Sequence, residues 1–216
     1  MNDLAALREE YTLGGLDERD VDADPVVTLR AWLDDAIASG LYDPTAMVVS
    51  TVSSEGRPSS RMVLLKGLDE RGLVFFTNYT SRKGEEIAGR EEVSVTFPWH
   101  PLQRQVRVEG VARRLTDEEN DAYFAGRPRG AQIGAWASPQ SKVVADRDAL
   151  DAKYAAAQER FGDGPVPRPP HWGGYRVEPD TFEFWQGRQG RLHDRLRYRR
   201  VATRPDRPWL LERLAP

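Results

Sequence analysis

Cations cluster in three short segments of the chain, in patterns suited to holding an anion. In TNYTSRKGEEI, Ser81, Arg82 and Lys83 fall at the predicted start of a helix, where free backbone N–H groups and the helix dipole favour negative charge. The same spacing also describes an ordinary solvated helix start. In RMVLLK, Arg61 and Lys66 bracket Met62, Val63, Leu64 and Leu65, which reads as a strand buried through its middle with a cation at each end. Alternation sends Arg61 and Lys66 to opposite faces, so both reach one ligand only if the strand bends or a second subunit contributes. Solvated charges at strand ends are the plainer reading. In RLHDRLR, period two places Arg191, His193, Arg195 and Arg197 on one face and Leu192, Asp194 and Leu196 on the other. That row fits a compact polyanion. An exposed basic strand or a nucleic-acid contact competes with it, since residues 188–200 hold six Arg and one acid. RNA-binding sheets interleave exposed aromatics with their cations, however, and Tyr198 lies on the opposite face.

Weaker signals accompany these three. Gln105 and Arg107 alternate with Val106 and Val108, so Gln105 either hydrogen-bonds a ligand edge or faces solvent. Tyr123 and Arg127, four apart near a helix end, converge on one anion or stack on each other. Of six Trp, only Trp185 sits beside the cationic hairpin as a candidate ligand platform; the others read as core or interface. No HExxH, GxSxG, GxGxxG or P-loop pattern is present, leaving metal, serine-hydrolase and Rossmann chemistries without support.

The elements that must position these residues read as mainly β. Residues 1–24 are polar, with Gly14 and Gly15 and a short possible helix at 4–10, and read as an arm of the kind that acts as a lid. Residues 25–39 place Val26, Leu29, Leu33, Ala36 and Ile37 at helical spacing behind Pro25. AMVVSTVSS, SSRMVLLKGL and LVFFTN follow as strands joined by short turns, then a helix capped by Ser81 and running to Gly89. EVSVTFPW and QRQVRVEGVARRL are two further strands. Thr116 and Glu119 have capping-box spacing for a helix to Phe124, and another helix spans about 146–160. YRVEPDTFEFWQG and RQGRLHDRLRYRR form a terminal hairpin. At least five antiparallel strands with inserted helices suggest a small barrel with peripheral helices.

Composition bounds the function. The 216 residues suit one domain of 25–216 behind the arm. A net charge of −3 supplies no global field for nucleic acid or anionic lipid, so an anion must be held by local clusters. No cysteine is present, which removes disulfides, thiolate metal sites and a Cys nucleophile and suits a reducing cytoplasm. No stretch approaches a membrane span, and the amino terminus has no apolar targeting core.

REEYTLGGL, RMVLLK, FFTNYTSRKGEEI, RQVRVEG, YFAGRPRGAQIGAWASPQS, FEFWQGRQGRLHDR and WLLERLAP, in this order, resemble the pyridoxine 5′-phosphate oxidase family nearly from end to end. The resemblance implies an FMN-binding split β-barrel, a homodimer with flavin at the subunit interface, and oxidation of pyridoxine or pyridoxamine 5′-phosphate by dioxygen. It implies FMN contacts at Arg61, Met62, Val63, Leu64, Leu65, Lys66, Phe76, Thr77, Arg82, Lys83, Gln105, Gln140, Ser141, Trp185 and Arg195. Substrate contacts are implied at Lys66, Tyr123 and Arg127 for the phosphate and at Arg191, Leu192 and His193 beside the pyridine ring, with Arg191 and His193 as the catalytic pair. Arg8, Glu9, Glu10 and Tyr11 match the segment that covers the substrate. One position departs: Ala131 stands where the family typically has a serine in the phosphate site, so weaker phosphate binding than in a serine-bearing relative is expected. Three other functions compete: a split-barrel flavoprotein with another substrate, a non-catalytic carrier of FMN or pyridoxal phosphate, and an RNA-binding module.

Overall fold

The computed structural model describes residues 3, 7, 10–203 and 208–216. Among them, nine strands form one antiparallel sheet: β1 (Ala46–Val52), β2 (Pro58–Leu64), β3 (Gly67–Asp69), β4 (Gly72–Asn78), β5 (Glu92–Trp99), β6 (Arg104–Arg114), β7 (Trp172–Gln186), β8 (Asp194–Arg200) and β9 (Trp209–Arg213). Five helices accompany it: α1 (Pro25–Ala38), α2 (Arg82–Gly89), α3 (Asp117–Ala125), α4 (Arg129–Ala137) and α5 (Arg147–Phe161). The strands run in the order β2-β1-β5-β6-β7-β4-β3. Its two ends, β2 and β3, are separated in sequence only by Leu65 and Lys66, and the Lys66 N–H donates to the Val74 carbonyl at 2.8 Å. The sheet therefore curls on itself into a barrel.

Alternation fills the interior. Met47 and Val49, Leu73 and Phe75, Val95 and Phe97, Val106 and Val108, and Phe182 and Phe184 are all fully buried, as period two dictates for strands with one face on a core. Helix α1 plugs this core. Asp24 accepts from the Val26 N–H, Pro25 occupies the first turn, and Val26, Leu29, Trp32 and Ala36 are buried. The apolar stripe is rotated from the one the sequence suggests: Trp32 lies edge-on to Phe184 at 5.2 Å, while Ile37 is exposed.

Strand β7 splits the barrel. It pairs with β6 along its length, but on its other side residues 172–177 pair with β4 and residues 181–186 pair with β8. The change of partner coincides with a register shift between Glu109 and Gly110, and a Cβ at Gly110 would run into the Glu178 carbonyl. Beside the first half of β7, helices α3, α4 and α5 build a second core around Phe124, Ile133, Ala157 and Trp172.

The sheet has nine strands, in keeping with the expected minimum of five; the short β3 and the last strand, β9, were not counted from sequence. Several expectations need correction. Helix α4 was not anticipated, since Pro128, Gly130 and Gly134 hide its start and middle. The RMVLLK strand is not buried through its middle: β2 is a sheet edge, with Met62 62% and Leu64 37% exposed. The terminal hairpin does not alternate from Arg191. Residues Gln189–Arg191 form a 3-10 turn with Gly190 at φ 63° and Arg191 at φ 60°, and β8 starts only at Asp194. The helix expected at 4–10 falls largely outside the described residues; from Tyr11 the arm is docked, with Leu16 buried and its N–H donating to Asp194.

Helix α2 begins where Ser81 accepts from the Gly84 N–H, and a Cβ at Gly84 would strike the Tyr79 backbone. Gly84→Ala should therefore destabilise the fold by about 1–3 kcal/mol, read as a lowered thermal midpoint.

Candidate active site

Two cavities collect about half of the residues singled out from sequence. The first, of about 300 Å³, is lined by Met62, Val63 and Leu64 of β2, Lys66, Phe76 and Thr77 of β4, Lys83 of α2, Tyr123, Arg127, Gln140 and Trp172. Three cations line it and no carboxylate does. Lys83 is 7% exposed, and its Nζ donates to Thr77 Oγ1 at 3.0 Å and Gln140 Oε1 at 2.9 Å, both neutral acceptors. Burial, reinforced by the positive charge of Arg61, pulls its pKa down to about 8. Arg127 lies with its guanidinium 4.4 Å from the Trp172 ring centre, and its buried Nη1 has no hydrogen-bond partner. Phe76 stacks on Tyr123 at 3.7 Å and 7° and on Trp172 at 5.4 Å and 10°. The cavity thus offers unneutralised positive charge, an unsatisfied donor and a wall of parallel aromatic rings. An anion attached to a flat ring satisfies all three, so the donor set fits a flavin phosphate or a phosphorylated pyridine.

Next to it, Glu86 organises two further cations. Its buried carboxylate accepts from Ser59 at 2.7 Å, Thr51 at 2.5 Å, Arg82 Nε at 2.8 Å and Arg61 Nη2 at 3.3 Å. Burial alone would raise its pKa, but the hydroxyl and guanidinium donors outweigh it and hold the pKa at about 2. Arg61 and Arg82 are therefore pre-oriented by a permanent anion, whereas Lys66, Lys83 and Arg127 are not.

The second cavity, of about 280 Å³, is lined by Tyr11, Pro98, His100, Gln103, Arg104, Gln105 and Trp185. Gln105 and Trp185 face each other across β6 and β7. The His193 ring stands 4.7 Å from Trp185 and 5.5 Å from Tyr11. His193 Nδ1 accepts from the Arg188 N–H at 3.1 Å, so the neutral ring carries its proton on Nε2. Tyr11 is held there because Gln103 Oε1 accepts from the Thr12 and Leu13 N–H groups at 2.9 and 3.1 Å.

The two cavities share no lining residue. Trp172 and Trp185 occupy opposite ends of β7, roughly 40 Å apart along an extended strand. One chain does not bring the two groups together. The arginine row is also absent as a free row. Arg195 donates twice to buried Glu183 at 2.9 and 3.1 Å, Glu183 also accepts from Arg107 at 2.8 Å, and Arg197 pairs with Glu212 at 2.8 Å. Arg191 and Leu192 are exposed beyond the start of β8. Leu65 faces the barrel core, while Ser141, at φ 68°, and Ala131 in α4 line neither cavity. Glu10 reaches the Gly190 N–H at 3.5 Å; Arg8 and Glu9 lie outside the described residues. Sequence reasoning missed Trp172, Glu86 and Glu183. The four-residue step from Arg82 to Glu86 was readable as a helical pair; Trp172 and Glu183 carry no comparable local signal.

Residues 33–161 match the family described as pyridoxamine 5′-phosphate oxidase, and residues 172–216 match the pyridoxine 5′-phosphate oxidase C-terminal dimerisation region. The chain belongs to the pyridoxamine 5′-phosphate oxidase family. It is 56% identical over 214 residues to a pyridoxine/pyridoxamine 5′-phosphate oxidase of Rubrobacter xylanophilus, covering 99% of this chain and 97% of that one. It is 53% identical over 216 residues to the enzyme of the same name from Burkholderia multivorans, covering both chains completely. Among solved structures, PhzG of Burkholderia lata, in complex with tetrahydrophenazine-1-carboxylic acid, superposes with a TM-score of 0.85 at 35% identity, over 93% of this chain and 98% of that one. An FMN-binding, pyridoxamine 5′-phosphate oxidase-related protein of Nostoc punctiforme shares the fold, with a TM-score of 0.71 at 18% identity over 91% of this chain and all of that one. The barrel is thus the split barrel of this oxidoreductase family.

Because the Glu86 carboxylate titrates below its ordinary value of 4.5, its stabilising contribution is complete above that value and is lost as pH falls towards 2. Glu86→Gln should cost about 3 kcal/mol at neutral pH, and the gap to wild type should close on acidification; melting curves of both chains from pH 7 to 2 check it.

Proposed function

We propose that this chain oxidises pyridoxine 5′-phosphate and pyridoxamine 5′-phosphate to pyridoxal 5′-phosphate, with FMN as cofactor and dioxygen as electron acceptor. One observation carries the reading: a carboxylate-free cavity in which Lys66, Lys83 and Arg127 meet a stack of aromatic rings. Two phosphates need neutralising, and two sets of cations exist. Lys83, with Arg61 and Arg82 oriented by Glu86, takes the flavin phosphate together with Thr77, Gln140 and Ser141. Lys66, Tyr123 and Arg127 take the substrate phosphate, Arg127 through its unpartnered Nη1. Met62, Val63 and Leu64 of β2, the backbone of Leu65 after it, and Phe76 flank the flavin.

A homodimer completes the site. Gln105, Trp185, Arg195 and His193 stand at the far end of β7 from Lys83, so a second copy must supply one group to the other. Residues 172–216 match a dimerisation region, and the exposed apolar edge of β2 suits burial against a partner. Residues 25–216 form one split-barrel domain, and residues 1–24 act as a lid over the substrate, with Glu10 and Tyr11 on its inner side. The chain works in the cytoplasm.

The chemistry that flavin supplies when bound is hydride acceptance from the substrate C4′ carbon and delivery of the electrons to dioxygen as hydrogen peroxide. The chain binds and orients. Arg191, Leu192 and His193 hold the pyridine ring, and His193 offers a proton at Nε2 while Arg188 fixes its other nitrogen. Tyr11 shields the ring from water by packing on Trp185 and His193.

A second reading, another reduced ring system as electron donor, is favoured by the likeness to PhzG, whose structure holds a tetrahydrophenazine acid. The test is an absorbance spectrum of the FMN-loaded protein before and after anaerobic pyridoxine 5′-phosphate. Bleaching reversed by air, with pyridoxal 5′-phosphate and peroxide formed, supports the proposal. Bound flavin that stays oxidised transfers the case to the second reading.

His193→Ala and Arg191→Ala should lower kcat about 10²-fold while leaving flavin affinity unchanged, measured by turnover and by flavin fluorescence titration. Lys83 supplies a pH dependence. Below about 8 it is already an ammonium; above 8 it must gain a proton before it can pair with phosphate. Flavin affinity should therefore fall as pH rises through 8, with proton uptake on binding in calorimetry at pH 8.5, and Lys83→Arg should abolish the uptake.

A further inference from the structure

Lys83 is a buried amine with neutral partners only. Its Nζ is bonded only to the neutral oxygens of Thr77, Gln140 and Ser81, inside a cavity without a carboxylate. No carboxylate there pairs with the ammonium, and burial beside the Arg61 charge lowers its pKa to about 8, so the free amine is reached near that pH. The same cavity contains what a phosphorylated ring would need: Lys66 and the unpartnered Nη1 of Arg127 for the phosphate, and the Phe76 and Tyr123 rings for a flat face.

We propose that, in the flavin-free chain, Lys83 is a covalent capture site for phosphorylated aromatic aldehydes. The proposed function enters only as the source of such an aldehyde, its product. The neutral Nζ lone pair adds to the aldehyde carbon, a proton passes from nitrogen to oxygen, and the carbinolamine loses water. An imine remains between Nζ and that carbon. No oxidant or reductant is consumed. The adduct fills the cavity and removes a cation from the flavin phosphate site, so captured aldehyde and flavin exclude each other. Product would then delay flavin loading of unloaded chains.

Selectivity is checkable because the chain has four lysines. Lys142 is tied to Glu85 at 2.6 Å and Lys153 is exposed on α5, and neither lines the cavity; Lys66 does. The experiment treats flavin-free full-length chain with pyridoxal 5′-phosphate at pH 8, reduces with borohydride and maps the modified peptides by mass. The expected result is a predominant label on Lys83, reduced about tenfold by prior FMN loading and absent in Lys83→Arg chain of unchanged melting temperature. Labelling of Lys66, Lys142 or Lys153 in preference, no label at all, or a Lys83 label indifferent to FMN overturns the inference. Turnover of the FMN-loaded wild type is measured separately: oxidation of pyridoxine 5′-phosphate without Lys83 labelling refutes capture alone, and labelling without oxidation refutes the oxidase reading alone.

Discussion

Three cations facing one cavity with no anion among them is an unfavourable arrangement, and much of the surrounding structure serves to hold it. Lys83 would relax towards solvent if it were free; instead α2 starts at a buried Ser81, and Thr77 and Gln140 fasten the ammonium in place. Arg127 is held against Trp172, which the small helical core in turn fixes beside β7. The repulsion is retained, and an anion entering the cavity would relieve it. A site preorganised in this way spends folding energy in advance on affinity.

Arginines elsewhere in the chain are treated differently. Glu86 neutralises Arg61 and Arg82, Glu183 serves Arg107 and Arg195, and Glu212 serves Arg197 and Arg199. In each case a carboxylate orients planar guanidinium groups, so their remaining donors point in fixed directions. The basic strand that resembled a nucleic-acid contact is therefore largely balanced within the sheet, and the unbalanced charge is concentrated around Lys83 and Arg127.

Local features of the fold were legible because they depend on neighbours in sequence. The capping box of Thr116 and Glu119, the Ser81 cap and the alternating cores of β5 and β6 appear where the residue pattern puts them. Alternation failed at Arg191 because Gly190 and Arg191 both adopt left-handed backbone, a conformation readily foreseen for the glycine but not for the arginine after it. It misled for β2 because an edge strand has only one neighbour to cover its apolar residues, and sequence does not say which strands are edges. The separation of Lys83 from His193 was likewise invisible: both sit in basic segments, and only the pairing of β7 with β4 at one end and β8 at the other shows how far apart they lie.

Strand β7 also constrains how the chain can vary in length. Side chains alternate faces along a strand, so inserting or deleting one residue within 173–184 would either reverse the facing of everything beyond it or be absorbed at the single irregularity near Gly110. Trp172 and Trp185 are linked by backbone that is paired throughout except at Asp180, where the register shifts. The turn at 53–57, which lines neither cavity, is bound by no such parity. Changes of length are therefore tolerated in that turn, while the spacing between the two tryptophans behaves as a fixed ruler between the two cavities.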